Sequence, residues 1–491
     1  MSGAAPHGAG TFDPGAARRT AGSAEAARAR GASGLFLAVA ALAFASRLPF
    51  LFAGYGSDPD AWRIATTARA IALSHHYAAS RLPGFPVQEI LSALLWRGGP
   101  LLLNGVGALL SALGIGAFAL TLRRLGARDA ALGALALAAT PVVFIAGVSA
   151  LDYAWAMGLM LVALDQALRG RAVRAGVLLG LAAGCRLTSL AAAIPLAILL
   201  AGAGAGARGR LLRFALALLL TAGVALAPAA LTYGAGMLHV YEHGYPRPLY
   251  VAKNASVDVW GIPGTLALVA AALAWTLGAR PPRRAASAPE VPGRRVTLAA
   301  WSGIALFGAA FLRLPHEAGY LIPAIPFVLL LLATRVSRAV FVTTCVALLI
   351  SPWCFKVSEI GKPDTPPPSA LSIGIPPGNP RLVLDVLHGP VITDRLRRVR
   401  AMRFVDDVIA LAARLPGNSV IAAYEWLPLV RVRLGGDVTG GTRFVYVPGP
   451  AEMAHYAAAG VRVYLMPGAE DESRRVNGAS LLALGAAPTV P

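Results

Sequence analysis

The stretch GSDPDAWRIATTARAIALSHHYAASRLPGFPVQE, residues 56–89, is the first polar interval after a long apolar run. It gathers charged and titratable side chains in a chain that is otherwise poor in them: Asp58, Asp60, His75, His76, Arg81 and Glu89. Charged groups beside a bilayer are costly to keep, so their concentration here indicates a functional site. Asp58 followed by Pro59 is also a good N-cap and first-turn pair, which predicts a helix over about residues 59–74.

The composition around this stretch is typical of a membrane protein. Of the 491 residues, 56% are hydrophobic and 14% are charged, whereas soluble domains carry about 25% charged residues. Mean hydropathy is +0.63, and apolar runs of about 18 residues or more recur along the chain. The net charge is +20, but the arginines lie in short clusters between apolar runs. That distribution indicates the positive-inside bias of membrane proteins, not a nucleic-acid partner.

The apolar runs and arginine clusters predict an all-α polytopic membrane protein with about eleven transmembrane helices in a domain spanning residues 33–354. Residues 1–32 are predicted as a disordered basic cytoplasmic tail. The first outer loop is 55–98, with a short apolar segment at 87–97 lying along the interface. The spans are predicted at 33–54, 100–122, 130–149, 151–168, two within 174–206, 214–231, 262–278, 297–311, 319–334 and 339–354.

The remainder of the chain has a different character. Residues 355–380 are predicted as a proline-rich linker, and residues 381–491 as a small α/β domain. Strands are expected in NSVIAAYEW, TRFVYV and VRVYLMPG, and a helix in AEMAHYAAAG. The helix count places this domain outside. The arginine-rich DRLRRVRAMRF favours the cytoplasm, but that bias weakens for long domains.

Polar residues collect at the predicted outer helix ends. Asp152 opens the fourth helix, and the loop 232–260 and the segment RLPHEAGY carry further candidates: His239, Glu242, His243, Arg247, Lys253, Asp258, Arg313, His316, Glu317 and Tyr320. Each has a plainer reading. Asp58 and Asp152 suit helix caps, Asp60 suits a helix N-terminus, and the two adjacent histidines suit the interface. Arg186 suits snorkelling to the surface, and Glu317 suits a pair with Arg313 or His316. No spacing indicates a metal site, although a divalent metal held across loops stays open.

Two of these motifs, together with Asp152, resemble a known superfamily. SDPDAW followed by SRLPGFPVQE, and LRLPHEAGYLIPAIPFVLLLL late in the chain, are similar to the polytopic C-type (GT-C) glycosyltransferases. The protein mannosyltransferases and lipid A aminoarabinose transferases are members. The resemblance implies transfer from a polyprenyl-phosphate-linked sugar to a lipid, glycan or protein acceptor, with no cofactor. It places the enzyme in the plasma (inner) membrane as a multi-pass protein, with its active site on the extracytoplasmic face.

The resemblance also implies roles for particular residues. The acid of the first outer loop corresponds to Asp60, with Asp58 as the alternative, acting as the base or the acceptor-positioning acid of an inverting displacement. The departing lipid phosphate needs cations, and arginine suits phosphate oxygens. The residues expected to bind the substrate or the lipid phosphate are Arg81, Arg313, Lys253, Asp152, His316, Glu317 and Tyr320.

Two other classes of function stay open at this point. A transporter or lipid flippase would use the same outer-face charges for substrate entry. Transporters, however, place ionisable groups near the membrane midplane on interrupted helices, often in related halves, and this sequence has no evident internal repeat. A sensor with a ligand-binding outer domain would leave the charged helix ends unexplained. The glycosyltransferase hypothesis accounts for the most residues.

Overall fold

The structure is a computed structural model that describes residues 14–202, 206–238, 244–278, 293–375 and 382–477. Helices dominate it. In chain order they are α1 (Pro14–Ala45), α2 (Pro59–Ser74), α3 (Pro86–Leu95), α4 (Gly99–Arg124), α5 (Ala130–Ala139), α6 (Pro141–Ala146), α7 (Asp152–Leu168), α8 (Ala172–Cys185), α9 (Ala193–Leu200), α10 (Ala207–Tyr233), α11 (Pro248–Ala255), α12 (Val257–Thr276), α13 (Gly293–Arg313), α14 (Ile325–Arg335), α15 (Arg338–Ile350), α16 (Pro390–Ala412), α17 (Leu427–Leu434), α18 (Pro450–Ala458) and α19 (Ala469–Asn477).

Six helical stretches among the described residues are long and apolar enough to cross a membrane: Arg30–Phe50, Pro86–Arg124, Ala207–Leu238, Val257–Thr276, Gly293–Arg313 and Ala318–Arg335. Four shorter apolar helical segments accompany them, at 130–139, 172–185, 187–200 and 338–350. These lengths and compositions are those of an integral membrane protein. The number of spans, expected to be about eleven, stays a prediction.

Close helix packing involves α7 and α8, at whose ends two charged residues of the candidate site lie. A Cβ added at Gly114 of α4 would meet the Cα of Gly158 of α7 at 2.6 Å, and one at Gly180 of α8 would meet the Thr221 side chain of α10 at 2.6 Å. Small residues at such crossings let helix backbones approach closely inside a membrane. The backbones of α4 and α7, and those of α8 and α10, therefore cross in direct contact.

Several predicted spans are broken in the structure. The span 130–149 divides into α5 and α6 before Pro141, because a proline cannot continue the backbone hydrogen bonding of a helix. A 3-10 helix, Leu187–Ala192, separates α8 from α9, and another, Ala318–Ala324, precedes α14. The first helix begins at Pro14, within the segment predicted as a tail. Residues 1–13 lie outside the described part of the chain.

The segment predicted as a linker contains strands. β1 (Lys356–Glu359), β2 (Ser372–Gly374) and β3 (Leu382–Asp385) form an antiparallel sheet in the order β1-β3-β2. Both strands that fall within residues 355–380, β1 and β2, pair with β3, so this part of the proline-rich segment belongs to a sheet. Residues 376–381 lie outside the described part.

The C-terminal α/β prediction is confirmed. β4 (Ser419–Ala422), β5 (Val438–Thr439), β6 (Thr442–Val445) and β7 (Arg462–Leu465) form a sheet in the order β5-β6-β4-β7. β4 is parallel to both β6 and β7, while β5 is antiparallel to β6. The predicted strands and the helix α18 fall where the sequence pattern placed them. Residues 478–491 are outside the described part.

This C-terminal region packs on the first loop. α17 packs along α2, the Ser57 hydroxyl donates to Asp394 Oδ1 of α16 at 2.6 Å, and Arg69 donates to the Gly435 carbonyl at 3.1 Å. The C-terminal region and the first loop therefore lie on the same side of the helices.

Candidate active site

The candidate site begins at the N-terminus of α2. Asp58 caps this helix, because its Oδ1 accepts the Asp60 N–H at 2.8 Å and Pro59 occupies the first helical position. The predicted cap and the predicted helix over 59–74 are both confirmed. The Trp62 indole N–H donates to the Gly56 carbonyl at 2.8 Å and ties the start of the helix to the preceding loop. The two acids are thus held at a fixed helix terminus.

The segment after α2 is shaped by Glu89, which is fully buried. Its carboxylate accepts from the Tyr77 hydroxyl at 2.6 Å, from the Ser80 N–H and hydroxyl at 2.6 and 2.7 Å, and from the Phe85 N–H at 2.9 Å. Arg81 lies within this turn, with its guanidinium 4.6 Å from the centre of the Phe85 ring. The hydrogen bonds to Glu89 therefore fix the turn that carries Arg81.

Four ion pairs form one chain of contacts from the first loop, through Asp152 at the start of α7, to Arg186 directly after α8. Asp60 contacts Arg63 through Oδ1 and Arg81 through Oδ2, both at 2.8 Å. Asp152 contacts Arg81 through Oδ1 at 2.8 Å and Arg186 through Oδ2 at 2.5 Å. Three arginines therefore share two aspartates in one continuous chain of contacts.

Arg186 is enclosed by aromatic rings. Its guanidinium carbon lies 3.8 Å from the centre of the Tyr153 ring and 4.9 Å from that of Tyr320. The Tyr153 hydroxyl donates to Glu317 Oε2 at 2.7 Å. The sequence-predicted residues Asp60, Arg81, Asp152, Glu317 and Tyr320 thus meet in one cluster, although they come from three separate parts of the chain.

The two acids of the first loop differ in their surroundings. Burial, and then the nearby carboxylates of Glu317 and Asp60, raise the pKa of the Asp58 carboxyl to about 7, against the lowering effects of the Asp60 N–H and Arg81. Its Oδ2 has no hydrogen-bond partner or ion pair among the described residues. Burial lowers the pKa of Arg81, but Asp152 and Asp60 more than offset this and raise it. Asp58 therefore changes its charge near neutral pH while Arg81 stays charged.

Two predicted residues lie apart from these contacts. Arg313 is exposed at the end of α13 and makes no ion pair with any described residue. Lys253 contacts Asp258 at 2.5 Å, and Lys356 of β1 contacts the same carboxylate at 3.0 Å. Their assignment to a phosphate site stays a prediction, and Lys253 has a structural partner already.

The histidines are placed differently from the acids. His75 and His76 are exposed at the end of α2. The His316 carbonyl accepts from Asn254 at 2.9 Å, which fixes the turn before Glu317. His239, Glu242 and His243 lie outside the described residues.

Among the described residues, no group of three or more His, Cys, Asp or Glu side chains has the arrangement of a metal site.

Sequence reasoning missed the role of Arg186. It was read as a residue snorkelling to the surface, but the structure buries it at 6% exposure against Asp152. The available signal was an arginine directly after an apolar helix, in AAGCRLTS, where a charge has to find a partner. Its partner lies 34 residues away and could not be chosen from spacing.

No protein-family model matches the chain, and no curated protein matches it. Among solved structures, the chain is similar to that of ArnT from Cupriavidus metallidurans bound to undecaprenyl phosphate, at 20% sequence identity and a TM-score of 0.42. The similarity covers 65% of this chain and 60% of that protein.

Proposed function

We propose that this chain is a membrane glycosyltransferase that moves a sugar from a polyprenyl-phosphate carrier to an acceptor hydroxyl at the extracytoplasmic face, with inversion at the anomeric carbon. One observation carries the proposal. The carboxyl group of Asp58 caps a helix N-terminus through one oxygen only, two residues before Asp60, whose carboxylate contacts Arg63 and Arg81. A base and a set of cations, held close together, are what displacement of a phosphate requires.

Asp58 is the better base of the two loop acids, which reverses the roles expected from sequence. Both oxygens of Asp60 are engaged by arginines, whereas Asp58 has a free Oδ2 and a pKa near the working pH of a general base. Asp58 takes the proton of the acceptor hydroxyl as that oxygen bonds to the anomeric carbon. The bond from the anomeric carbon to the phosphate oxygen breaks, and the lipid phosphate leaves with the electron pair.

Arg81 and Arg186 are the cations proposed for the departing phosphate. Asp152 holds the two guanidinium groups side by side, one on each carboxylate oxygen. Planar guanidinium groups bind phosphate oxygens through two N–H donors at once. Asp60 keeps Arg81 in place and is a positioning residue. Arg186 is held by the rings of Tyr153 and Tyr320 and, through the Tyr153 hydroxyl, by Glu317. The lipid phosphate would be contacted from the edge of the site by Arg313, Lys253 and His316.

The test is transfer by the purified full chain in lipid vesicles, with polyprenyl-phosphate sugars supplied as donors and release of the polyprenyl phosphate measured. Asp58→Asn is expected to lower the turnover rate by about 10²–10⁴-fold, the usual effect of losing a general base. Asparagine still caps a helix, so the variant should fold. Asp60→Asn is expected chiefly to raise the KM for the donor, because Arg81 loses one anchor.

Other outcomes would redirect the proposal. If Asp60→Asn loses turnover while Asp58→Asn keeps it, the base is Asp60. If both variants keep full turnover, this loop is not the catalytic centre. If the wild-type chain moves the intact lipid-linked sugar across the bilayer without releasing polyprenyl phosphate, the chain is a flippase.

A further inference from the structure

A cavity of about 550 Å³ separates α2 from the C-terminal sheet. Arg63, Thr66 and Thr67 of α2 form one wall, and the opposite wall includes Arg431, Arg443 and Tyr446. This volume lies within the usual range for a small-molecule site, roughly 300–1,000 Å³. Arg63 also contacts Asp60, so the cavity adjoins the candidate active site directly.

The carboxyl end of β6 borders this cavity, through Val445 and the following Tyr446. β6 and β7 lie on opposite sides of β4 and run parallel to it, so the connections after β4 and β6 diverge at the carboxyl ends of these strands. Ligands of open α/β sheets bind at such a point. Tyr446 follows β6 and lines the cavity with 45% of its surface exposed.

The backbone at the same edge is strained. Tyr424 follows β4 with a φ of +46°, a conformation that non-glycine residues rarely adopt and that tends to occur at functional sites. Its N–H donates to the Tyr446 carbonyl at 2.8 Å, and the two rings lie 5.3 Å apart. The hydrogen bond and the ring contact therefore place Tyr424 beside Tyr446, which lines the cavity.

The charges around the cavity favour an anion. Its two acids are engaged, since Asp437 lies 3.7 Å from Arg431 and Glu452 accepts the Gly449 N–H at 3.0 Å. Arg443 is exposed and makes no ion pair with any described residue. An unpaired arginine beside exposed tyrosine faces suits a carboxylate or phosphate carried on a sugar ring.

We infer that this cleft binds the acceptor, and that the acceptor is a saccharide bearing an anionic group recognised by Arg443 and Tyr446. The inference rests on the proposed transferase function and names its acceptor class. A saccharide bound there lies beside Arg63, which contacts the Asp60 oxygen that Arg81 does not use. The acceptor and the donor then approach the loop acids from different directions.

A second cavity, of about 520 Å³, adjoins the first and shares Thr66, Arg431 and Asp437 with it. Its lining includes the apolar side chains Leu73, Trp96 and Leu103. A lipid-borne acceptor would place its apolar part there, whereas a free saccharide would leave this cavity unused. The lipid-borne acceptor and the free saccharide carry the same anionic sugar. Only binding of the lipid-borne acceptor depends on Leu73.

The test is ligand-observed NMR on the purified full chain, with glucuronate as the anionic probe and glucose as its neutral counterpart. Arg443→Gln is expected to weaken glucuronate binding about fivefold, the upper range for an exposed charge pair, and to leave glucose binding unchanged. Tyr446→Ala should weaken binding of both sugars. The matched control is Arg462→Gln, an exposed arginine at the other end of the same sheet, which should change neither.

The outcomes separate this inference from the proposed function. Unchanged glucuronate binding in Arg443→Gln, absent binding by the wild-type chain, or a loss seen only in Arg186→Gln would overturn it, the last because the probe then reports the donor site. A chain that transfers no sugar but binds glucuronate through Arg443 would overturn the proposed function alone. With glucuronosyl diacylglycerol in phosphatidylcholine vesicles, added weakening by Leu73→Asn indicates a lipid-borne acceptor, and its absence a free one.

Discussion

At the scale of single residues, the charge of Glu317 raises the pKa of Asp58. Its carboxylate is the largest neighbouring charge that raises the pKa of Asp58, ahead of Asp60, while Arg81 acts in the opposite direction. Asp58 accepts a proton only when it is ionised, so turnover should fall as the pH drops below about 7. Glu317→Gln keeps an acceptor for the Tyr153 hydroxyl but removes the charge. We expect the acid limb of the pH–rate profile to move to lower pH.

The measurement is turnover against pH for the wild-type chain and the variant. Glu359→Gln, at an exposed position of β1, is the matched control and should leave the profile in place. An unshifted limb in Glu317→Gln would mean that this carboxylate does not act on Asp58. The same raised pKa predicts that ionising Asp58 opposes folding, so its effect on stability becomes less favourable as the pH rises from about 4 to 7.

At the scale of elements, the turn between α2 and α3 depends on one buried carboxylate. Glu89→Gln replaces an acceptor oxygen with an N–H₂ group that faces existing donors, and each donor left unpaired costs about 1–3 kcal/mol. We expect faster proteolytic cleavage between residues 75 and 85 and a lower melting temperature. Turnover should fall as well, because Arg81 is carried by this turn.

Glu359→Gln serves as the control for this change too, since it alters the same group at an exposed position. If Glu89→Gln cleaves at the wild-type rate and keeps its melting temperature, the turn is held by its backbone and not by the carboxylate.

The elements also show what sequence can and cannot predict here. Local signals sufficed for α2, where a cap and a proline fix the first turn, and for α7, which the apolar pattern placed correctly. The interruptions after Arg186 and Glu317 were missed, because apolar periodicity does not register a change from α to 3-10 geometry. The pairing of Asp152 with both Arg81 and Arg186 depends on helix packing, which local patterns do not specify. The sequence therefore predicted the acidic residues of this cluster and Arg81, but it did not predict that Arg186 belongs to the cluster.

At the scale of the whole molecule, α16 anchors the first loop. Arg398 is 1% exposed, contacts Asp394 at 2.7 Å and donates to the Val148 carbonyl at 2.7 Å. Asp394→Asn weakens the contacts to Arg398 and Ser57, and breaking such a buried pair costs about 3–5 kcal/mol. We expect lower turnover and faster cleavage of the first loop.

The control for this variant is Asp407→Asn, an exposed acid on the same helix, which should behave as wild type. Equal turnover and equal cleavage in both variants would show that the loop keeps its shape without α16.

Membrane topology can be tested on the same scale. The arginine pattern predicts an N-terminus inside and a C-terminal region outside. Reporter fusions after Arg213 and after residue 360 should therefore report opposite sides. Fusions after residue 76 and after residue 360 should agree, since the first loop contacts the C-terminal region. A report of one side for the first pair would require a different number of spans.

The contact between Arg398 and Val148 has a consequence for biosynthesis. The two residues are 250 positions apart, and Ser57 and Asp394 are 337 apart, so the ribosome completes most of the chain before the first loop acquires its anchor. Until α16 is made, the first loop lacks the hydrogen bond from Ser57 to Asp394. Chains released early, before α16 is made, would remain inserted and inactive. Maturation of the site is thereby tied to completion of the polypeptide.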